Sequence, residues 1–314
     1  MRYIGGEIEL SESSNKSILN NQKSGLFVDY IFYSSGRAAL AEILEQLKPQ
    51  HPILIPSYLC ESILQPFIEQ NLDYEFYEVN ERLTINTENL KEKLQNKTYS
   101  AIYFINFFGF YDKKFRKKYK NGVFGNIQLI EDCTHSTLVP NVLGKQKYFG
   151  DFIFGSLRKT LPLSDGAFIF DKKKIFAETP TERDKDFAWL KYQGKTLRKI
   201  FLKNKALTEI EEIYLDLLAR AEEVINKRVP RTLISENAFD ILNQLDLSLI
   251  YQKRRENFIF LSQKLHESKV FKEKAYIIKE IDDFEIPYMM PIFIKSNNRN
   301  EIRSQLRREG VFTS

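Results

Sequence analysis

The stretch DFIFGSLRKTLPLSDG, residues 151–166, runs from an apolar strand pattern into a polar turn. Lys159 stands three residues after Ser156 and is flanked by Leu157 and Leu161. An amine between leucines can be partly desolvated, which lowers its pKa and makes it nucleophilic. Taken alone, Lys159 is more simply interpreted as a solvated loop lysine, since the chain has 47 Lys and Arg residues. Two further stretches favour the nucleophile.

The first of these, LIEDCTHS at residues 129–136, predicts a buried parallel strand that ends at Asp132. Ligands of open α/β sheets bind outside this end of the strands. The second, IFYSSGRAAL at residues 31–40, predicts an extended segment, a small-residue turn and the first turn of a helix. Free N–H groups at a helix start suit a phosphate. These N–H groups belong to Gly36, Arg37 and Ala38. A phosphate cradle, a strand-end aspartate and a lysine after a serine, in this order, describe a site for pyridoxal 5'-phosphate (PLP).

The order and spacing of these motifs resemble those of the DegT/DnrJ/StrS-type sugar aminotransferases, which are PLP enzymes of fold type I with an aspartate aminotransferase-like fold. The resemblance covers nearly the whole chain. The segments that carry it are IGGEIEL (4–10), SSGRAAL (34–40), ILIPSYLCESIL (53–64), INFFG (105–109), LIEDCTHS (129–136), GDFIFGSLRKTLPLSDGAF (150–168), ISENAFDILNQLD (234–246) and RRENF (254–258). The family usually continues beyond the point that corresponds to Ser314, so the resemblance implies a chain shortened at its C-terminus.

The resemblance implies an α/β fold in which a large domain has a mainly parallel central sheet flanked by helices, and a smaller C-terminal domain is α+β. We expect the cofactor-binding domain over residues 1–180, and a helical connection with the small domain over 181–314. Short apolar runs that alternate with helical patterns predict βαβ units with right-handed crossovers. These runs are residues 52–56, 74–79 and 100–104. Beyond residue 171 helical patterns dominate, and we expect one further strand over 287–295.

By the same resemblance, Lys159 is the catalytic amine that attacks the cofactor aldehyde and then moves protons. Asp132 would pair with the pyridine nitrogen and keep it protonated, although an acid at this place can also cap a helix. Ser156 would bind the phosphate, and its Ser-x-x-Lys spacing is closer to that of the amino-acid aminotransferases. Arg158 either adds charge to the phosphate or faces solvent.

Three further residues are expected to contact the cofactor. Asn106 follows a predicted strand and faces the cradle side, and His135 would lie near the cofactor ring unless it is a structural histidine. The family's usual ring-stacking aromatic position falls on Cys60, whereas Tyr58 lies two residues earlier. Either Tyr58 stacks on the ring from another angle, or it packs in the core and something else covers the ring.

The implied reaction transfers an amino group, typically from glutamate, to a keto sugar linked to a nucleotide, in surface polysaccharide or glycoconjugate biosynthesis. A homodimer is expected. Sugar dehydratases of the family have a histidine in place of the lysine, so Lys159 argues against them. An amino-acid transaminase and a degenerate, non-catalytic protein that binds a ligand or partner remain as alternatives.

Composition adds few constraints. The chain has 43% hydrophobic residues, 28% charged residues and a net charge of +5, so the basic cluster at residues 113–120 is expected to be a solvated helix face and no nucleic-acid partner is expected. Two cysteines and three histidines give no disulfide framework and no metal site. No signal core or membrane span is present in the sequence, which favours a cytoplasmic protein with no membrane partner.

Overall fold

The computed structural model describes residues 8–10, 27–136, 138, 148–176, 179–282, 285–296 and 298–313 of the 314-residue chain. A seven-stranded sheet lies at its centre, with strand order β1-β7-β6-β5-β4-β2-β3. The strands are β1 Tyr30–Tyr33, β2 Ile53–Pro56, β3 Tyr74–Tyr77, β4 Ala101–Ile105, β5 Gln128–Asp132, β6 Phe152–Ser156 and β7 Ala167–Phe170. Strands β3, β2, β4, β5 and β6 are parallel, and β7 is antiparallel to both β6 and β1. The predicted α/β class with a mainly parallel sheet is confirmed.

Helices connect and cover these strands. They are α1 Gly36–Leu47, α2 Gln65–Glu69, α3 Thr87–Asn96, α4 Lys113–Lys120, α5 Asp186–Lys203, α6 Thr208–Lys227, α7 Glu236–Gln244, α8 Leu247–Glu267, α9 Lys269–Lys274 and α10 Arg299–Arg308, with short 3₁₀ turns at Glu61–Ile63 and Phe107–Gly109. Several begin at a side chain that accepts a hydrogen bond from the first turn, including Ser35 for α1, Asn86 for α3 and Ser235 for α7.

The alternation of side chains along the strands puts apolar residues on both faces of the sheet. Ile53 and Ile55 of β2 pack on one face, in the cluster that also contains Leu40 and Ile43 of α1. Leu54, between them, packs on the other face with side chains of α3 and α4. A sheet covered on both faces needs continuous apolar strands, which explains why β2 and β4 are buried along their whole length.

The chain beyond β7 is mainly helical, as expected, and adds a small antiparallel sheet of β8 Ala275–Ile277 and β9 Ile292–Ile294. The strand expected over residues 287–295 is therefore shorter than predicted. Pro287 and Pro291 lack the N–H group that a sheet ladder requires, which restricts the strand to the residues after them. The division of the chain into domains at residue 180 stays a prediction. Within the described residues, no helix has both the length and the apolar character needed to cross a membrane.

The segment before β9 packs tightly on the turn after β4. The Tyr288 N–H donates to the Phe108 carbonyl at 2.7 Å. Gly109 has φ +91°, and a Cβ at this position would lie 2.4 Å from the Ile286 carbonyl oxygen. Only glycine allows both this backbone conformation and this approach. The contact brings Tyr288 over the carboxyl ends of the parallel strands.

Candidate active site

A cavity of about 670 Å³ lies at the carboxyl ends of the parallel strands, beside the start of α1. The structure places most of the sequence-predicted site residues in its wall. They are Gly36, Arg37, Tyr58, Asp132, His135, Ser156 and Lys159. Their positions follow from the topology, because the ends of neighbouring parallel strands meet at one edge of the sheet. Ala38 and Asn106, which were predicted to contact the cofactor, do not line this cavity.

Lys159 lies on the turn that follows β6. The turn is anchored on both sides of the lysine, because Leu157 and Leu161 are fully buried and the Leu157 N–H donates to the Gly166 carbonyl at 2.9 Å. Burial lowers the pKa of Lys159, and the carboxylate of Asp132 opposes this shift. A lysine with a lowered pKa supplies more neutral amine at neutral pH, which is the nucleophilic form.

Asp132 is the last residue of β5 and is only 3% exposed. One carboxylate oxygen accepts a hydrogen bond of 2.5 Å from the Tyr103 hydroxyl, and the other accepts one of 2.7 Å from the Thr134 N–H. Both donors stabilise the ionised carboxylate. The sequence analysis did not identify Tyr103, although a tyrosine inside the apolar run AIYFI is a polar group that needs a buried partner.

At the start of α1, two of the three N–H groups that were predicted to form an anion cradle are left without a partner in the part of the chain that the structure describes. The Ala38 N–H donates to the Ser35 side chain at 3.1 Å, so it is not directed at the cavity. The N–H groups of Gly36 and Arg37 have no acceptor among the described residues. A Cβ on Gly36 would lie 3.4 Å from the Ser156 Cβ, so the helix start and the end of β6 are in close contact.

Asn106 is directed away from the cavity. It is 1% exposed, and its amide donates to Glu131 at 2.9 Å, while Arg116 donates to its carbonyl oxygen at 3.3 Å. The buried carboxylate of Glu131 needs hydrogen-bond donors, and this need determines the orientation of Asn106.

His135 lies between two aromatic rings. Its ring is stacked on Phe108, with centroids 5.4 Å apart, and on Tyr288, with centroids 4.9 Å apart. Burial, with a smaller contribution from the charge of Lys159, lowers the pKa of His135 to about 3. The ring is therefore neutral at physiological pH, and its Nδ1 accepts the Phe108 N–H at 3.1 Å. Sequence reasoning missed Tyr288 because it lies on a segment remote in sequence from the other site residues.

Tyr58 and Cys60 both line the cavity. Tyr58 is 52% exposed, and its ring is tilted by 50° against Phe107, so it does not pack in the core. The exposed Cys60 thiol is 3.1 Å from the Ser62 hydroxyl. Burial raises the pKa of this thiol, but hydrogen bonds from Ser62 and the charges of Lys159 and Arg37 lower it overall.

A charge cluster forms the wall beside the cradle. Glu222 of α6 lies in the cavity wall with Arg37 and Arg158. The Arg158 guanidinium therefore faces a carboxylate and not open solvent, and it also lies 5.3 Å from the centre of the Phe187 ring. Glu222 was not identified from the sequence, because α6 contains several glutamates whose neighbouring residues are similar.

A central, mainly parallel sheet, a helix start at its carboxyl edge and a lysine on the turn after β6 define the architecture of fold type I of the PLP enzymes. No family model matches the chain, and no curated protein matches it. Several solved structures match the chain. The aminotransferase TlmJ from Streptoalloteichus hindustanus is 13% identical over 91% of this chain and 71% of its own, with a TM-score of 0.58. The sugar aminotransferase CalS13 from Micromonospora echinospora is 14% identical over 98% and 79%, with a TM-score of 0.56.

A DegT DnrJ EryC1 StrS aminotransferase from Brucella abortus is 16% identical over 90% of this chain and 69% of its own, with a TM-score of 0.54. At these identities the comparisons establish the fold. The resemblance seen in the sequence motifs and the similarity of the structures therefore agree on the same architecture.

Proposed function

We propose that the chain is a PLP-dependent aminotransferase that transfers an amino group from glutamate to a keto sugar linked to a nucleotide. The observation that carries the proposal is the meeting of Lys159, Asp132 and the start of α1 around one cavity at the carboxyl edge of the sheet. We propose that this reaction takes part in the biosynthesis of a surface polysaccharide or glycoconjugate.

The residues of the cavity fit the cofactor. The N–H groups of Gly36 and Arg37 offer donors to a phosphate, with the positive end of the α1 dipole behind them. Asp132 offers a carboxylate that is already held by two donors, which suits a protonated ring nitrogen. When bound, PLP supplies a conjugated ring that withdraws electrons from the substrate carbon.

The protein residues then have distinct tasks. Lys159, whose pKa is lowered by burial, supplies a neutral amine that can attack a carbonyl and afterwards hold or release a proton. Tyr103 fixes the direction of the Asp132 carboxylate. His135, neutral and held between two rings, offers a flat face without adding charge.

The substrate side of the proposal rests on the lining of the cavity and on the similar proteins. Tyr58, Phe107 and Tyr288 contribute aromatic faces, on which a sugar ring can pack. The similar protein CalS13 is described as a sugar aminotransferase. A homodimer that acts in the cytoplasm stays a prediction from the sequence resemblance.

The first experiment is an absorbance spectrum of purified protein after incubation with PLP and dialysis. We expect a visible band that borohydride bleaches in the wild type and no such band in Lys159→Ala. Lys172→Ala, which removes an exposed lysine after β7, is the matched control and keeps the band. A wild type that retains no PLP, or a Lys159→Ala variant that keeps the band, contradicts the proposal.

The second experiment tests turnover. Protein loaded with PLP is incubated with glutamate and a nucleotide-linked keto sugar, and the amino sugar and 2-oxoglutarate are measured. We expect both products in equal amounts in the wild type and neither in Lys159→Ala. Retention of PLP without turnover of any keto sugar nucleotide or amino acid would favour the non-catalytic alternative.

A further inference from the structure

Glu222 faces three cations that come from three different elements. Its carboxylate is 3.3 Å from Arg37 at the start of α1, 3.2 Å from Arg158 on the turn after β6 and 2.8 Å from Lys191 on α5. The side chains of these cations are 12%, 13% and 2% exposed, respectively. The three cations are therefore largely shielded from water, whereas the Glu222 side chain is 37% exposed. Charge interactions in such a half-buried cluster are stronger than at the open surface.

The cluster holds more positive than negative charge. Burial raises the pKa of Glu222, but Arg158, Lys191 and Arg37 together lower it overall, so the carboxylate is ionised. One carboxylate facing three cations leaves an excess of positive charge beside the N–H groups of the cradle. This excess suits a ligand group with two negative charges, such as a phosphate.

The Arg37 side chain is held by residues of α6 and α2. Its guanidinium donates to the Asn226 side chain at 2.6 Å, to the Ile225 carbonyl at 3.1 Å and to the Gln65 side chain at 2.6 Å. Arg158 has a different environment, because among the residues that the structure describes its guanidinium donates a hydrogen bond to Glu222 alone, at 3.2 Å. The orientation of Arg158 therefore depends on Glu222 more than that of Arg37 does.

We propose that Glu222 is a positioning residue that holds the Arg158 and Arg37 guanidinium groups at the cradle, so that they bind the phosphate group of the ligand together with the Gly36 and Arg37 N–H groups. The inference rests on the proposed function, since PLP is the phosphate-bearing ligand. It makes helix α6, which lies far from the cradle in sequence, a part of the phosphate site.

An opposite effect is expected if Glu222 acts only as a countercharge. Its removal would then increase the positive charge of the cavity and strengthen the binding of any anion. If Glu222 positions Arg158, its removal frees the guanidinium to turn away and weakens the binding. The two roles predict changes of opposite sign in the same measurement.

The test is the affinity for inorganic phosphate, measured by calorimetric titration at low ionic strength. We expect Glu222→Gln to weaken phosphate binding about tenfold, the equivalent of one charge-assisted hydrogen bond. Glu223→Gln is the matched control, because it removes the same charge from an exposed neighbouring position of α6 and should change the affinity by less than about twofold. Circular dichroism establishes that each variant is folded, and Glu222→Asp replaces Glu222→Gln if the latter is not.

A double-mutant cycle separates positioning from a general effect on the cavity. In an Arg158→Gln background, Glu222→Gln should change the phosphate affinity by less than about threefold, because its main effect acts through Arg158. Unchanged or tighter binding by Glu222→Gln, fully additive losses, or no phosphate binding by the wild type would overturn the inference. Inorganic phosphate forms no covalent bond with Lys159, so this result is independent of the spectral test of the proposed function.

Discussion

Replacement of Arg116 by methionine would remove the cation that faces the fully buried carboxylate of Glu131. One oxygen of this carboxylate accepts hydrogen bonds from Arg116 at 2.6 Å and from Asn106 at 2.9 Å. The other accepts the N–H groups of Phe149 at 2.5 Å and Gly150 at 2.9 Å. Glu131 is 0% exposed, and within the described part of the chain Arg116 is the cation paired with it, so the replacement leaves a buried charge without that partner. Breaking a buried pair in this way costs about 3–5 kcal/mol.

The three remaining hydrogen bonds place the expected loss at the lower end, about 3 kcal/mol of unfolding free energy. Urea denaturation followed by circular dichroism measures it. Lys117→Met is the control, since it makes a similar change at an exposed position of the same helix and should cost less than about 0.5 kcal/mol. Adding Glu131→Gln to Arg116→Met should recover part of the loss, because the unpaired charge is then absent. A loss below about 1 kcal/mol for Arg116→Met would refute the reasoning.

Two other predictions concern the site. Tyr103→Phe removes the 2.5 Å hydrogen bond to the carboxylate of Asp132 and should cost about 2 kcal/mol of unfolding free energy in urea denaturation; a loss below about 0.5 kcal/mol would show that this bond adds little. The pKa of His135 is lowered to about 3 from an ordinary value of 6.5, so the unfolded chain binds more protons between these values and stability falls as pH drops. Between pH 7.5 and 5.0 we expect a loss of about 2 kcal/mol that His135→Gln lacks, and equal losses in both proteins would contradict this.

The elements of the sheet could be predicted because their signals are local. The helix whose first turn was expected within residues 31–40 is observed as Gly36–Leu47, since its apolar spacing and its cap at Ser35 lie within one short stretch. Asp132 and Lys159 could be placed near one another for a similar reason, because Asp132 ends one strand, Lys159 follows another, and the ends of neighbouring parallel strands meet. The basic stretch at 113–120 was expected to be solvated, and the sequence held no sign that Arg116 turns inward to Glu131.

Contacts between distant segments could not be predicted in this way. Arg158 and Glu222 are 64 residues apart, and α6 carries glutamates at several positions, of which packing selects one. The N–H group of Ala38 was expected to bind the cofactor, but it donates to the side chain of Ser35, the cap of the same helix. Sequence patterns indicate which face of an element is apolar, but they do not indicate which polar residues of distant elements will contact one another.

The order of the strands has a consequence for the synthesis of the chain. Strand β1 is made early, yet its partner in the sheet is β7, and Ser34 and Arg37 bond to Thr232 and Glu222, which are 198 and 185 residues further along. The ribosome releases the N-terminal part first, so the start of α1 emerges long before the segments that complete its surroundings. Contacts of such long range form slowly. In a growing chain, the edge of β1 that pairs with β7 therefore stays uncovered until residue 170 has left the ribosome. The cavity of the protein is complete only when Tyr288 has followed.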